Sequence, residues 1–150
     1  MIVIFFFMQL VLVNISAMLQ GGIMKDIFKV AMLQMERSSD INNNIKKGIK
    51  FCKNAKLMGA DIAVFPEMWS NGYEILFRGL LKNQKDIDMN KVKRWQDEAI
   101  DDSSEYITTF INLAKQLEMA IAITYLEKND TGKPKNTVMI IDRKGNVILK

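Results

Sequence analysis

In the stretch DIAVFPEMWSNGY, residues 61–73, a short apolar run ends at a proline and a carboxylate. Residues 62–65 have the composition of a buried strand. Pro66 has no amide hydrogen, so strand pairing should stop there and the backbone should turn outward. Glu67 would then lie at the carboxyl end of a central strand, where open α/β sheets gather ligands and catalytic groups.

An amphipathic helix and another apolar strand precede this stretch. Residues 28–35, FKVAMLQM, are short and apolar and predict a buried strand. Residues 37–40 supply a turn and an N-cap, and from Ile41 to Gly59 the apolar positions recur every three or four residues. Asparagines and lysines fill the opposite face, which is expected to be exposed. Strand, helix and strand form a βαβ unit, which predicts neighbouring parallel strands with a covering helix.

The pattern after residue 73 also alternates between helix and strand. Residues 74–100 are polar and predict a loop with a broken helix, anchored by Trp95 and by Leu80 and Leu81. Residues 102–105 resemble a capping box, with an acidic N-cap at Asp102, and predict the start of a further helix. Further strands are predicted at 119–128, 136–142 and from 147 onward, with a hairpin turn at 143–146.

The composition excludes several classes of protein. With 49% hydrophobic and 25% charged residues in 150 positions, the chain is globular, one domain or a piece of one. The net charge of +4 is mild and the lysines are scattered, so no nucleic-acid partner is expected. The absence of histidine excludes Ser-His and Cys-His dyads and Cys2His2 zinc sites within the chain, and we expect no metal. The single cysteine, Cys52, excludes an internal disulfide and favours a reducing compartment, so a cytoplasmic location is expected.

Residues 1–24 form an uncharged hydrophobic leader with competing interpretations. A membrane anchor needs about 20 apolar residues, which the leader barely supplies. A signal peptide needs a basic start and a small-x-small cleavage site, and neither is clear here. A buried strand is a further alternative. We favour a non-native start with Met24 as the natural one, so membrane association is not expected, and we place the domain at residues 28–150.

Glu67 is the strongest candidate for chemistry. Phe65, Met68 and Trp69 flank it in sequence, so we expect its carboxylate to be partly desolvated and its pKa to be raised toward the range of a general base. The alternative is a surface glutamate on a loop, or one that caps the next turn. Trp69 and Tyr73 have two open uses, as walls of a substrate pocket or as packing against the loop.

The residues around Glu67 resemble a known family. Phe65-Pro66-Glu67, preceded by residues 60–64 and followed by Gly72-Tyr73, resembles the first catalytic motif of the carbon–nitrogen hydrolases, the nitrilase superfamily. Similar matches to the family's first, third and fourth strands occur at residues 29–35, 120–128, 136–137 and 141–145. The resemblance covers residues 28–150 in order and spacing.

The resemblance implies an α/β fold, namely the N-terminal half of an αββα-sandwich (nitrilase-like) domain, truncated in this chain. It implies hydrolysis of a non-peptide carbon–nitrogen bond in a small amide or carbamoyl substrate by a Glu, a Lys and a Cys, without metal or cofactor. Glu67 would be the general base that takes the thiol proton, and we assign substrate binding to Tyr73 and Trp69. Family members commonly pair through their helices, so a homo-oligomer is expected for the full-length protein.

The family's Lys and Cys have no counterpart in the sequence. That Lys usually follows the fifth strand, a few residues beyond Lys150, and the Cys lies further on. We interpret Lys150 as a strand-edge lysine, and Cys52, on the apolar stripe of the first predicted helix, as a small buried hydrophobic residue. The chain is therefore expected to be inactive alone. The rivals are a non-catalytic α/β interaction or regulatory module and a membrane-anchored acyltransferase relative, which should show several hydrophobic spans.

Overall fold

The computed structural model describes residues 9–16, 25–38, 40–73, 88–130 and 132–150, with side chains from residue 28 onward. Its elements in chain order are β1 Gln9–Ser16, β2 Lys25–Met32, α1 Ile41–Leu57, β3 Ile62–Val64, α2 Met89–Asp97, α3 Glu105–Leu117, β4 Ala120–Glu127, β5 Lys135–Ile141 and β6 Val147–Leu149. Within these residues the strands form one six-stranded sheet in the order β1-β2-β3-β4-β5-β6. The predicted α/β fold is confirmed.

The sheet is mixed, with a parallel centre. β2, β3 and β4 run parallel, with Ala31 opposite Ala63 and Ala63 opposite Ile121. The other pairs, β1–β2, β4–β5 and β5–β6, are antiparallel. Because α1 connects the parallel strands β2 and β3, the predicted βαβ unit is confirmed. The predicted hairpin between β5 and β6 is confirmed as well, with Gly145 in the left-handed conformation at φ 79°.

Part of the hydrophobic leader is a strand. β1 pairs with β2 along its whole length, from Gln9 opposite Met32 to Ser16 opposite Lys25. This is the conformation that the strand alternative predicts for residues 9–16, and the natural start at Met24 stays a prediction. No helix in the described ranges is long and apolar enough to cross a membrane.

Helix α1 begins at the predicted cap and covers the sheet. The side chain of Asp40 accepts a hydrogen bond from the amide of Asn42 at 2.9 Å, which satisfies a free amide of the first turn. Ile45, Cys52 and Ala55 are buried, as their spacing predicts. Asn44 is fully buried too, although the asparagines were expected on the exposed face.

The N-cap of helix α3 lies two residues later than predicted. Ser104 is the N-cap, and its hydroxyl oxygen accepts a hydrogen bond from the amide of Ile107 at 3.3 Å. The capping box at residues 102–105 is therefore wrong. Asp101 accepts hydrogen bonds from the amide and hydroxyl of Ser103, and Asp102 binds Lys150.

The core lies between the sheet and helices α1 and α3. Phe110 is its centre: the ring meets Phe65 edge-on with 4.9 Å between centroids, and Tyr106 at 5.1 Å. Gly48 of α1 lies against the same rings, and a Cβ there would come within 2.8 Å of both Phe110 and Phe65. The helix therefore approaches the sheet closely because residue 48 has no side chain.

A second, smaller cluster lies beside this core. Met68, Trp95 and Leu126 are buried in it, with Tyr73 partly buried against them. Trp95 therefore anchors α2, as predicted, whereas Leu80 and Leu81 lie outside the described residues. This cluster fixes α2 against the segment that carries Glu67.

The sheet presents two different faces. Ala31 and Met139 point into the core under α1 and α3, whereas their neighbours Met32 and Val138 are 44% and 43% exposed. Since side chains alternate along a strand, Asn136 lies on the same face as Val138, opposite α1 and α3. The candidate site is built on this face.

Candidate active site

Glu67 follows the end of β3, where the sequence predicts that pairing stops. The amide of Phe65 still donates to the carbonyl of Ala122 on β4 at 3.0 Å. Pro66 has no amide to continue the ladder, and the chain turns at residues 67–71, with Met68 in the left-handed conformation at φ 53°. The side chain of Glu67 lies exposed on this turn.

The segment of residues 66–73, which we call the glutamate loop, continues along β4 where β3 ends. The hydroxyl of Thr124 accepts a hydrogen bond from the amide of Trp69 at 3.0 Å and donates to the carbonyl of Pro66. The amide of Leu126 donates to the hydroxyl of Ser70 at 3.1 Å. These bonds pair buried polar groups of the glutamate loop with those of β4 beyond the end of β3, where β4 has no neighbouring strand on that side among the described residues.

Asn44 connects helix α1 to the glutamate loop. Its side-chain oxygen accepts hydrogen bonds from the amide and hydroxyl of Ser38, both at 2.8 Å. Its side-chain nitrogen donates to the carbonyls of Ser38 and Ser70, at 3.1 and 3.3 Å. A buried carboxamide is tolerated here because all of its hydrogen-bonding groups have partners, and this explains why Asn44 departs from the predicted exposed face.

Two donors hold one oxygen of the Glu67 carboxylate. The Tyr73 hydroxyl donates to Oε1 at 2.7 Å and the Asn136 side-chain nitrogen donates to the same atom at 2.6 Å. The Asn136 nitrogen also lies 2.7 Å from the Tyr73 oxygen, so the three side chains form a closed triangle. Asn136 comes from β5 and is 69 residues away in sequence.

The pKa of Glu67 lies below its ordinary value. The hydrogen bond from Tyr73 is the largest cause and the bond from Asn136 the second, while desolvation opposes them only weakly. The expected rise in pKa is therefore wrong. Phe65, Met68 and Trp69 are buried in the two clusters, whereas the Glu67 side chain is exposed.

The two aromatic residues assigned to substrate binding lie in different surroundings. Tyr73 is partly exposed and contacts Glu67 directly. Trp69 is only 2% exposed and packs edge-on against Phe65, with 6.1 Å between ring centroids. Of the two uses predicted for Trp69, the structure shows packing. A substrate contact by Tyr73 or by Trp69 stays a prediction. For Trp69, no contact among the described residues supports it.

Cys52 and Lys150 lie apart from the triangle around Glu67. Cys52 is fully buried in α1 and desolvation raises the pKa of its thiol far above the ordinary value, which confirms it as a core residue. Lys150 binds Glu127 at 2.5 Å and Asp102 at 2.7 Å, and these carboxylates raise its pKa. Within the described ranges, no group of three or more His, Cys, Asp or Glu side chains is arranged to hold a metal ion.

Thr124 and Asn136 are the residues of the site that sequence reasoning missed. Both stand in runs that predict buried strands, where a hydroxyl and a carboxamide are unusual. That contrast was a usable signal, although it does not say which partner each side chain meets.

A sequence profile of the carbon-nitrogen hydrolase family matches residues 29–150. The chain belongs to the carbon–nitrogen hydrolase family. Solved structures with a similar fold include the C. elegans NitFhit protein, with a TM-score of 0.58 and 17% identity over 79% of this chain and 26% of that one. An amidase from Nesterenkonia sp. matches with a TM-score of 0.54 and 15% identity over 81% and 41%. An N-terminal amidase with an Asn-Glu-Ala peptide matches with a TM-score of 0.58 and 17% identity over 81% and 27%.

At these identities the likeness to solved structures shows the fold alone. No curated protein sequence matches the chain. The chain spans 26% to 41% of the length of the three solved structures described above. Glu67, within the matched residues, lies in the part of the family domain that this chain contains.

The tyrosines of the chain should ionise only in strongly alkaline solution. Burial, and for Tyr73 also the bond and charge of Glu67, raises the pKa of Tyr73 and of Tyr125 to about 12 and that of Tyr106 well above 10. Because these folded values exceed the unfolded value of about 10, the neutral phenols stabilise the fold fully below pH about 10, and this contribution is lost as pH rises through about 12. Ultraviolet titration of tyrosinate should show no step near pH 10 in the folded chain and all three in denaturant. A tyrosine that ionises near pH 10 in the folded chain would contradict this.

Proposed function

We propose that this chain carries the general base of an amidase-type carbon–nitrogen hydrolase, with Glu67 as that base and with the nucleophile and the catalytic lysine supplied by residues other than these 150. The observation that carries the proposal is the Glu67 carboxylate, held by two donors at the carboxyl end of β3 in a domain of this family. Carboxylates at such strand ends are well placed to act on a bound ligand.

The protonation state of Glu67 supports a role as proton acceptor. Hydrogen bonds from Tyr73 and Asn136 favour the ionised carboxylate, so Glu67 is ready to accept a proton at neutral pH. The same bonds lower the pKa of Glu67 and so make it a weaker base. A general base is most effective when its pKa lies near the working pH. Glu67 is therefore ionised at neutral pH, but it is a weaker base than a glutamate with the ordinary pKa.

The positions of the other reactive side chains support inactivity of the chain alone. A cysteine attacks an amide as its thiolate, and Cys52, the single cysteine, is buried in α1 with a raised thiol pKa. Lys150 is held by Glu127 and Asp102 and does not contact Glu67. A cysteine and a lysine in other residues are therefore needed.

The reaction follows from the chemistry of a base and a thiol. Glu67 takes the thiol proton, the thiolate bonds to the carbonyl carbon, and the lysine stabilises the negative charge on the oxygen. The carbon–nitrogen bond then breaks, the leaving amine takes the proton from Glu67, and a thioester remains. Glu67 next removes a proton from water, and the water oxygen bonds to the carbonyl carbon. The carbon–sulfur bond then breaks, the departing thiolate takes the proton back from Glu67, and the free acid is released. In one structure of the Nesterenkonia amidase, acrylamide has added to the active-site cysteine of that protein, which supports a thiol nucleophile in this family.

The decisive experiment reads the coding sequence past the codon for Lys150 and assays the protein it encodes. We expect an in-frame lysine within several residues and a cysteine some tens of residues later. Ammonia release from simple aliphatic amides should occur with the extended protein and not with the 150-residue chain. In the extended protein, Glu67→Gln should reduce release to background, while Glu98→Gln, a change at an exposed glutamate next to α2, should not alter it.

Two outcomes would overturn the proposal. A coding sequence with neither residue would favour the non-catalytic interaction or regulatory module, since no thiol would be available to Glu67. Thiol-dependent turnover by the 150-residue chain alone would show that the catalytic groups have been assigned wrongly.

A further inference from the structure

The triangle of Glu67, Tyr73 and Asn136 brings two donors to the same carboxylate oxygen. Tyr73 has one hydroxyl hydrogen, which it donates to Oε1 of Glu67. The Asn136 side-chain nitrogen donates to Oε1 at 2.6 Å and also lies within hydrogen-bond distance of the Tyr73 oxygen. Both donors therefore meet at a single carboxylate oxygen, and within the described residues no hydrogen bond to Oε2 is found.

We propose that Tyr73 and Asn136 are positioning residues for the base, which hold Oε1 of Glu67 and leave Oε2 as the atom that accepts the thiol proton. This inference rests on the proposed function of Glu67. Oε1 already accepts two hydrogen bonds, so a proton placed there would displace a donor. A proton on Oε2 leaves both bonds in place, and the carboxyl group keeps its orientation through the cycle.

The two donors are themselves held by different parts of the fold. Asn136 is paired with Leu126 in the β4–β5 ladder. The backbone of Gly72, next to Tyr73, accepts a hydrogen bond from the Trp95 side chain at 2.7 Å. Gly72 itself has a left-handed φ of 65°, and a Cβ there would collide with the side chain of Arg37. Because a strand and a buried tryptophan fix the donors, the orientation of Glu67 is set before any substrate binds.

The hydrogen bonds act on Glu67 without help from a charge. Among the described residues, the causes of its lowered pKa are the two bonds and a small opposing desolvation, with no cationic neighbour. Removal of either donor should therefore be visible in the titration of Glu67 itself. This distinguishes positioning of the carboxylate from a purely structural role in the loop, which would leave that titration unchanged.

The test follows the side-chain carboxyl carbon of Glu67 by NMR as pH is varied, in the 150-residue chain and in its variants. Tyr73→Phe and Asn136→Ala should each raise the pKa of Glu67 toward its ordinary value, and the double variant should raise it furthest. Asn136→Val, which suits a strand and also lacks the donor, replaces Asn136→Ala if that variant does not fold. Asn112→Ala, a change at an exposed asparagine of α3, is the matched control and should leave the pKa unchanged.

The outcomes separate this inference from the proposed function. An unchanged Glu67 pKa in both single variants would overturn the positioning role and would leave Glu67 as the base. The titration requires no turnover, so it can succeed even if the extended protein shows no amidase activity, and in that case only the proposed function fails. A rise in the pKa of Glu67 with Asn112→Ala would also contradict the inference, since the effect would then be unrelated to the triangle.

Discussion

Replacement of Phe110 by Ala should lower the free energy of unfolding by about 3–5 kcal/mol, the range for removal of a fully buried aromatic ring. Phe110 is 0% exposed, and its ring packs edge-on against both Phe65 and Tyr106. Gly48 contacts the same ring, so the substitution leaves a cavity where α1, α3 and the sheet meet. The loss is a large share of the roughly 5–15 kcal/mol that stabilises a typical domain. Urea denaturation followed by circular dichroism measures it.

Leu57→Ala is the matched control for this prediction. Leu57 is the last residue of α1 and is 86% exposed, so its truncation should change the free energy of unfolding by less than about 0.5 kcal/mol. Equal losses for the Phe110 and Leu57 variants would mean that the described core does not stabilise the chain.

Thr124→Val should cost about 2–4 kcal/mol of unfolding free energy, because two polar groups lose their partner at once. The hydroxyl of Thr124 bonds the amide of Trp69 and the carbonyl of Pro66, on either side of Glu67. Valine has nearly the same shape but cannot form either bond, and residue 124 is only 8% exposed, so water replaces the hydroxyl poorly. Urea denaturation reports the loss of stability, and NMR reports the accompanying displacement of Glu67.

Two further variants control for the change in shape. Thr124→Ser keeps the hydroxyl and loses one methyl group, so it should cost about 1 kcal/mol, less than Thr124→Val. Thr108→Val removes an exposed hydroxyl from α3 and should change stability by less than about 0.5 kcal/mol. If Thr124→Ser destabilises the chain more than Thr124→Val, packing of the methyl group and not the hydrogen bonds holds the glutamate loop.

Much of the fold could be predicted from local sequence patterns. The apolar spacing in α1 and the runs that became β4 and β5 identify their elements to within a few residues, since burial on one face imposes a period on the sequence. The cap of α3 was misplaced because Asp102, Ser103 and Ser104 are all good N-cap residues, so the local sequence does not choose among them.

The environment of Glu67 could not be predicted in the same way. Its sequence neighbours Met68 and Trp69 are apolar, and local reasoning therefore predicts desolvation. The left-handed turn at Met68 instead sends both side chains into the interior and leaves the carboxylate exposed. The sign of the shift in the pKa of Glu67 was therefore wrong, although its position at a strand end was right.

Pro66 ends the hydrogen-bond ladder of β3 wherever that strand lies in the sheet, so local sequence places a carboxylate just after a central parallel strand. The groups that meet this carboxylate follow from the fold. Asn136 reaches Glu67 because β5 pairs with β4, and that pairing brings together residues 69 positions apart. Local periodicity predicts which face of the sheet a side chain lies on. The order of the strands and the turn at Met68 determine which side chains lie beside Glu67, and its hydrogen bonds depend on those side chains.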